Sequence, residues 1–329
     1  MTTPPSSIAS DIPPTLNLKG PYAFNPATDI PSLTGKVILI TGANTGIGKQ
    51  TALELARHSP AQIWVAARNA HSGEDAVVEI NAVEPDVDVR CVELDLASFE
   101  SVKQAAGKVV KGSSSAGRLD VLMLSAGMMG GHPGVTQEGY EKQFGTNHIG
   151  HALLLKLLTP LLLHTAEITG SPPRVISLSS AGHRNALPEG GISFETLKSS
   201  QLDISGVSKY TQSKLANVVY ARQFAKHFPQ LITIAIHPGE VATQLFNKGA
   251  EGGGPEIEYL AREIAPKVCV PVEEGVKNGL WAATALDVQS GRYYEPVGVL
   301  GRGSDLSRDE AFETKLWEWT QRELGGHEI

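Results

Sequence analysis

Tyr210 and Lys214 stand four residues apart at the start of a helical pattern, and Thr41-Gly42-Ala43-Asn44-Thr45-Gly46-Ile47-Gly48 follows the first strongly apolar run of the chain. Positions i and i+4 share one helix face, so an ammonium can lie near a phenol and favour its phenolate, lowering an ordinary pKa of about 10 toward working pH. Such a tyrosine can act as general acid for reduction and general base for oxidation. In the second motif, Gly42, Gly46 and Gly48 let the backbone turn tightly, with Asn44, Thr45 and Ile47 between them, and approach a pyrophosphate. The phosphate charge would rest on the amides and positive dipole end of the helix expected over 47–58. The spacing is G-x-x-x-G-x-G rather than the commoner G-x-G-x-x-G. A proton donor and a dinucleotide site in one chain indicate an enzyme.

About twenty residues beyond such a loop, at the end of the second strand, an NAD site carries Asp or Glu to accept from the ribose 2′-hydroxyl. Here Trp64-Val65-Ala66-Ala67-Arg68-Asn69 places Arg68 there. A guanidinium matches a 2′-phosphate bidentately and gives a free ribose no acceptor, so NADP(H) is expected over NAD(H). The plainer role for Arg68 is a solvated strand end. Glu93-Leu94-Asp95-Leu96 closes the third strand and Leu124-Ser125-Ala126-Gly127 the fourth. Ligands of open parallel sheets bind outside such carboxyl ends, which nominates Asp95, Ala126 and Gly127. Asp95 could accept from an adenine amino group or equally cap the helix beginning near Ser98.

Those residues need a scaffold, and the chain supplies one. Short β-branched runs over 37–40, 63–67, 87–94, 121–124, 175–178, 231–236 and 292–294 alternate with helical patterns. Continuous apolar runs separated by helices predict a doubly wound α/β fold whose parallel sheet is buried on both faces. Residues 1–32, rich in proline and serine, read as an N-terminal extension, and 33–329 as one domain. Two irregular regions, 181–207 and 240–272, have the position and length of substrate loops. The second contains Gly252, Gly253 and Gly254 and reads as a lid with a glycine hinge. Leu187, Ile192 and Phe194 in one region and Leu245, Phe246, Ile257 and Tyr259 in the other suggest a mainly hydrophobic pocket.

The 329 residues are 41% hydrophobic and 19% charged, with a formal net charge of -7 and no lysine or arginine block, which argues against a nucleic-acid partner. Cys91 and Cys269 lack C-x-x-C spacing, as reduced thiols of a cytoplasmic protein would. The start of the chain has no signal-peptide h-region. The leucine-rich stretch 152–163 is broken by Lys156 and Pro160 and is short of the ~20 residues that cross a bilayer, so no transmembrane segment is expected. Its helix, apolar nearly all round, could instead pack in a homodimer interface. His148 and His151 have no third partner in the pattern, and no metal site is expected.

The segments TGANTGIGKQTALELA, AAR, ELDLAS, SAGMM, NHIGHALL, RVISLSSAGH, YTQSKLANVVYARQ and HPGEVAT, in this order over about residues 33–300, resemble the short-chain dehydrogenase/reductase family, in its retinol-dehydrogenase-like and WW-domain-oxidoreductase-like branch. The resemblance implies a seven-stranded parallel sheet of order 3-2-1-4-5-6-7 and a catalytic tetrad at Asn147, Ser180, Tyr210 and Lys214. Ser180 would donate to the carbonyl oxygen as charge develops there. Ser179, facing oppositely on the strand, is the lesser candidate. Asn147 would hold a water linking Lys214 to solvent. Pro238-Gly239-Glu240-Val241-Ala242-Thr243 looks like the turn that approaches the nicotinamide, with Pro238, Gly239 and Val241 beside it and Thr243 reaching its carboxamide or the phosphates. Ser125 replaces the asparagine of the usual N-A-G turn, which leaves open how that turn is hydrogen-bonded. The implied activity is an NADP(H)-dependent carbonyl reductase or alcohol dehydrogenase acting on a small hydrophobic substrate. A secondary-metabolite ketone, a lipid aldehyde and a steroid-like alcohol all fit. Two alternatives stand beside it: a non-catalytic NADP-binding sensor, and a cofactor-assisted non-redox biosynthetic enzyme.

Overall fold

The apolar runs become strands β1 (Val37–Thr41), β2 (Gln62–Ala67), β3 (Asp88–Glu93), β4 (Val121–Leu124), β5 (Arg174–Leu178), β6 (Ile232–Ile236) and β7 (Tyr293–Tyr294). They form one sheet of order β3-β2-β1-β4-β5-β6-β7, and every neighbouring pair is parallel. The chain reverses its direction of winding between β1 and β4, and the crevice at this switch point is where sheet ligands bind. Every residue of β1, β2 and β4 is buried, as continuous apolar runs require, whereas the edge strand β3 carries alternating exposure. The computed structural model describes residues 23–113, 117–301 and 303–328. Residues 1–22 of the expected extension lie outside the described residues. Just before β1, Ile30 and Leu33 are buried in the core.

Helices cover both faces. On one lie α1 (Gly46–Ala56), α2 (Ala70–Val83) and, later in the chain, α6 (Lys277–Thr284); on the other lie α3 (Phe99–Gly112), α4 (Gly150–Thr169), α5 (Gly206–His227) and α7 (Glu310–Glu323). The leucine-rich stretch is part of a continuous helical run from Lys142 to Thr169, 28 residues that meet the length and composition of a membrane span. In its most apolar 18-residue window, 72% is buried inside the fold. Leu153, Leu154, Leu155, Leu157, Leu158 and Leu162 pack into the core with residues of α3, α5 and α7. Those leucines are thus covered by the chain's own helices.

α7 is held by charge as well as by packing. Glu313, fully buried, accepts from Arg222 Nε at 2.6 Å, Lys226 Nζ at 2.8 Å and Gln223 Nε2 at 2.9 Å, all on α5. Trp317 stacks on His227 with centroids 4.0 Å apart, and Thr320 Oγ1 lies 3.1 Å from His148 Nε2 on the helical run before α4. The C-terminal helix therefore backs α5, the element that carries Tyr210 and Lys214.

The region 240–272 is not irregular. It folds into short helical turns over Gln244–Ala250, Pro255–Tyr259, Leu260–Ile264 and Ala265–Val268. Nothing lies within 4 Å of where a Cβ on Gly254 would stand, whereas Gly249 and Gly253 are held in close backbone contact. The segment closes against the stretch after β4 by direct backbone contact, Gly131 N–H donating to the Gly249 carbonyl at 2.8 Å. A Cβ on Gly249 would lie 1.9 Å from the Met129 carbonyl oxygen, and one on Gly253 would lie 2.2 Å from the Gly249 oxygen. No side chain fits in this seam. Ile192 and Phe194 of the other expected loop pack in the core beside α7, and Ile257 is buried at the seam. These three side chains belong to packing rather than to an open pocket. Leu245, Phe246 and Tyr259 stay half-buried.

Two measurements test this scaffold. Glu313→Ala should cost roughly 2 kcal/mol by urea denaturation, below the ~3–5 of a fully buried pair because Arg222 and Lys226 reach solvent. Burial opposes the charge on Glu313, but the hydrogen bonds from Lys226 and Arg222 outweigh it and hold its pKa below the ordinary 4.5. The contribution is therefore full above that value and lost as pH falls through the folded-state pKa, so wild type and variant should converge in acid. Gly249→Ala should speed amide exchange across 244–268 while the core strands keep their protection. Unchanged exchange in that segment would show that the seam does not hold it.

Candidate active site

The glycine loop, Arg68, Asp95, Ala126, Gly127, Ser180 and the turn 238–243 sit at or just beyond the C-terminal ends of the strands, while Asn147, Tyr210 and Lys214 stand on helical segments. After β1 the chain turns at Gly42, with φ 68°, and re-enters a helix at Gly46, with φ 54°. Gly48 faces back on this turn so closely that a Cβ there would be 2.5 Å from the Gly42 carbonyl oxygen. Thr45 is the N-cap of α1, yet its side chain caps none of the first-turn amides. Those donors and the dipole end are available to an anion. Asn44 reaches across to Ser72 at 3.1 Å, next to the N-cap Asn69 of α2. Ile47 packs against the core as a half-buried side chain. Thr243 closes the loop from the far side: a Cβ on Gly46 would meet its methyl at 3.1 Å.

Arg68 leaves the end of β2 exposed, with no hydrogen bond or ion pair among the described residues. Asp95 is half-buried and accepts from the Ala97 amide at 3.0 Å. The helix that follows is capped by Ser98, so the capping alternative for Asp95 is excluded. Pro238 and Gly239 follow β6, and Val241 is buried, pairing with Val270 in an isolated parallel bridge.

The turn left open by Ser125 is closed from β1. Thr41 Oγ1 accepts from both Ser125 N and Ala126 N at 2.9 Å. With two donors already on the oxygen, the Thr41 proton points to His151 Nε2, 2.9 Å away, and His151 Nδ1 must then donate to the Asn147 carbonyl at 3.0 Å. His151 is buried, which brings its pKa down to about 4 and keeps it neutral. Gly127 follows, exposed, with Asn147 Oδ1 and Lys214 Nζ lying 3.3 and 3.5 Å from where its Cβ would stand.

Asn147 is completely buried in a π-helical turn, Gly145–Ile149, that precedes α4. Its amide accepts from Met128 N at 2.8 Å and donates to Met128 O and to Ser213 Oγ at 2.9 and 3.0 Å. The side chain thereby ties the post-β4 segment to α5. Ser180 caps a 3-10 turn after β5, accepting from Gly182 N at 3.1 Å, and its hydroxyl interacts with the Tyr210 phenol. Ser179 is committed elsewhere, donating to the Lys214 carbonyl at 2.7 Å.

α5 starts at Gly206 behind its cap Ser205, and so Tyr210 and Lys214 do share a face. Lys214 Nζ lies 5.6 Å from the Tyr210 ring centroid and donates to the Leu178 carbonyl at 3.0 Å. The expected lowering of the phenol does not occur. Burial pushes Tyr210 up to about 12; the Ser180 hydroxyl beside it draws it back, and the Glu240 carboxylate raises it further. Burial likewise brings Lys214 down to about 8. Burial is the largest cause of both shifts, and it disfavours the charged form of each group.

Thr41 and His151 carry hydrogen-bonding roles that the sequence reading did not give them. Thr41 was legible as the residue where β1 ends, and His151 as the i+4 neighbour of Asn147. His237, buried after β6, was passed over; its Nε2 lies 3.6 Å from Glu240, too far for a hydrogen bond. Among the described residues no three metal-binding side chains come together.

The family model for short chain dehydrogenase matches residues 36–193. A short-chain dehydrogenase/reductase of Aspergillus calidoustus, drtF, is 32% identical over 317 residues, spanning 91% of this chain and 97% of that protein. Human retinol dehydrogenase 13 is 32% identical over 301 residues, or 89% and 86% of the two chains. Among solved structures, an uncharacterized protein of Mycobacterium paratuberculosis superposes with a TM-score of 0.70 at 28% identity, covering 91% of this chain and 96% of that one. The Pseudomonas aeruginosa RhlG/NADP complex shares the fold with a TM-score of 0.59 at 23% identity, covering 80% and 94%. With this sheet order and these matches along nearly its whole length, the chain belongs to the short-chain dehydrogenase/reductase family, in its retinol-dehydrogenase-like branch, and is an oxidoreductase.

Proposed function

We propose that the chain is an NADP(H)-dependent oxidoreductase interconverting a carbonyl and an alcohol on a hydrophobic substrate. The observation that carries this reading is the convergence of Tyr210, Lys214 and Ser180 at the strand ends beside the glycine cradle. The residues present fit a phosphorylated dinucleotide: the uncapped amides of Thr45-Gly46-Ile47-Gly48 would take the pyrophosphate, and the unpaired guanidinium of Arg68 the 2′-phosphate. Ala126, Gly127 and Asp95 line the adenosine side of the crevice, and Pro238, Gly239, Val241 and Thr243 the side beyond β6. Bound there, the dinucleotide would supply or accept the hydride.

The protein's own part is proton delivery and charge stabilisation. A phenol with a pKa near 12 keeps its proton at neutral pH, so Tyr210 is loaded to donate to a carbonyl oxygen. Ser180, whose oxygen already accepts from Gly182 N, aims its hydroxyl proton at the same oxygen and favours the developing negative charge. Lys214 supplies positive charge against the Tyr210 ring and is itself fixed by the Leu178 carbonyl. Asn147 holds the segment 127–128 against α5, which keeps the crevice at a set width. The half-buried Leu245, Phe246 and Tyr259 would give the substrate side an apolar lining suited to a secondary-metabolite ketone or a lipid aldehyde.

The deciding experiment is NADPH oxidation measured with a panel of aldehydes and ketones, beginning with para-nitrobenzaldehyde. Tyr210→Phe should keep NADPH binding and lower turnover by about two to four orders of magnitude. Near-normal turnover would remove Tyr210 from the reaction. Arg68→Asp exchanges a phosphate clamp for a ribose acceptor with like charge, so the ratio of kcat/KM values should swing toward NADH. An unchanged ratio would mean that Arg68 does not read the 2′ position.

A further inference from the structure

His183 follows Ser180 by three residues on the 3-10 turn Ala181–Arg184 and is completely buried. Its Nδ1 lies 2.6 Å from the Ser180 carbonyl oxygen, and its Nε2 receives the backbone N–H of Ser304 at 3.3 Å. A backbone N–H can only donate and a carbonyl can only accept, so the ring must be neutral with its proton on Nδ1. Burial brings its pKa down to about 4, consistent with that form. The Ser180 carbonyl also accepts the His183 amide at 3.1 Å, so one residue supplies both of its donors.

The far side of the ring is anchored with equal care. It meets Tyr293 of β7 edge to face, with centroids 4.9 Å apart. Tyr293 donates to Glu295 at 2.6 Å, and Glu295 is clamped by both terminal nitrogens of Arg184 at 2.6 and 2.9 Å. Ser304 in turn is braced by Ser307, whose hydroxyl donates to the Ser304 carbonyl at 2.7 Å. The ring thus links the backbone of Ser180 to β7 and to the segment after it.

We infer that His183 is a positioning residue: by holding the Ser180 carbonyl from the Nδ1 side while Ser304 holds its Nε2, it fixes the direction in which the Ser180 hydroxyl points. This rests on the reading of Ser180 as a donor to the reacting oxygen. Second-layer partners of this kind, when removed, cost about 10–100-fold in activity at metal sites, and a similar loss is expected here. His183 touches neither substrate nor dinucleotide in this scheme. Its removal should therefore appear in kcat and not in cofactor affinity.

The test is a double-mutant cycle between His183→Phe and Ser180→Ala, read as kcat for reduction of para-nitrobenzaldehyde, with NADPH affinity from fluorescence titration. Phenylalanine keeps the edge-to-face contact with Tyr293 and removes both nitrogens. We expect His183→Phe to lower kcat by about 10–100-fold with the NADPH dissociation constant within about threefold, and to have at most a twofold effect in the Ser180→Ala background. His183→Asn, whose amide N–H can stand where Nδ1–H stood, should recover about tenfold of the loss, and it carries the test if the phenylalanine variant does not fold. Equal losses from His183→Phe with and without Ser180, or a Phe variant with lowered Tm but wild-type kcat, would overturn the inference. If Ser180→Ala alone leaves kcat intact, the role given to Ser180 fails first and the positioning role falls with it, an outcome distinct from the other two.

Discussion

The hydroxyl of Thr41 is the junction on which the site depends. It ends β1, accepts two amides from the turn after β4 and passes its own proton to His151, whose opposite nitrogen holds the Asn147 carbonyl. The end of β1, the turn after β4 and α4 meet at one oxygen in a place that water does not reach. Each such hydrogen bond contributes only about 1 kcal/mol net, but leaving any of these buried groups unpaired would cost about 1–3. The arrangement is therefore satisfied as a whole or not at all, and this fixes the crevice at the switch point between β1 and β4. Asn147 extends the same chain of bonds to Met128 and Ser213, and so to α5.

On α5 the balance is between burial and charge. Tyr210 and Lys214 lie where desolvation dominates, which raises the phenol and lowers the ammonium. Their pairing on one face does not by itself make a phenolate. It makes a protonated phenol with a cation against its ring. The neutral histidines on either side, His151 and His183, follow the same logic, since burial keeps each uncharged and lets it donate from one nitrogen while accepting at the other.

Two coverings complete the architecture. α7 lies on α5 and on the helical run before α4, locked by Glu313 to three side chains of α5, and the buried leucines of α4 pack in the same core. Over the crevice, the turns of 244–268 close on the post-β4 segment through glycine backbones that approach too tightly for any side chain. Both act on the same element from different sides: one fixes α5 from behind, while the other bounds the space in front of it.

The sheet and its order were legible in the sequence because a parallel strand buried on both faces must be a continuous apolar run, and because glycine at 42, 46 and 48 answers to a backbone constraint that few other arrangements share. Tyr210 and Lys214 were legible because helical spacing alone puts i and i+4 on one face. The helical content of 240–272 was not, since its short turns are stabilised by contact with residues 129–131 rather than by their own periodicity. The pKa of Tyr210 was hidden for a related reason: spacing states which groups are neighbours, but only the packed structure states how much water each has lost. The roles of Thr41, His151 and His183 depend on partners 84, 110 and 121 positions away in the chain, and hydrogen bonds between such distant groups are decided by tertiary structure alone.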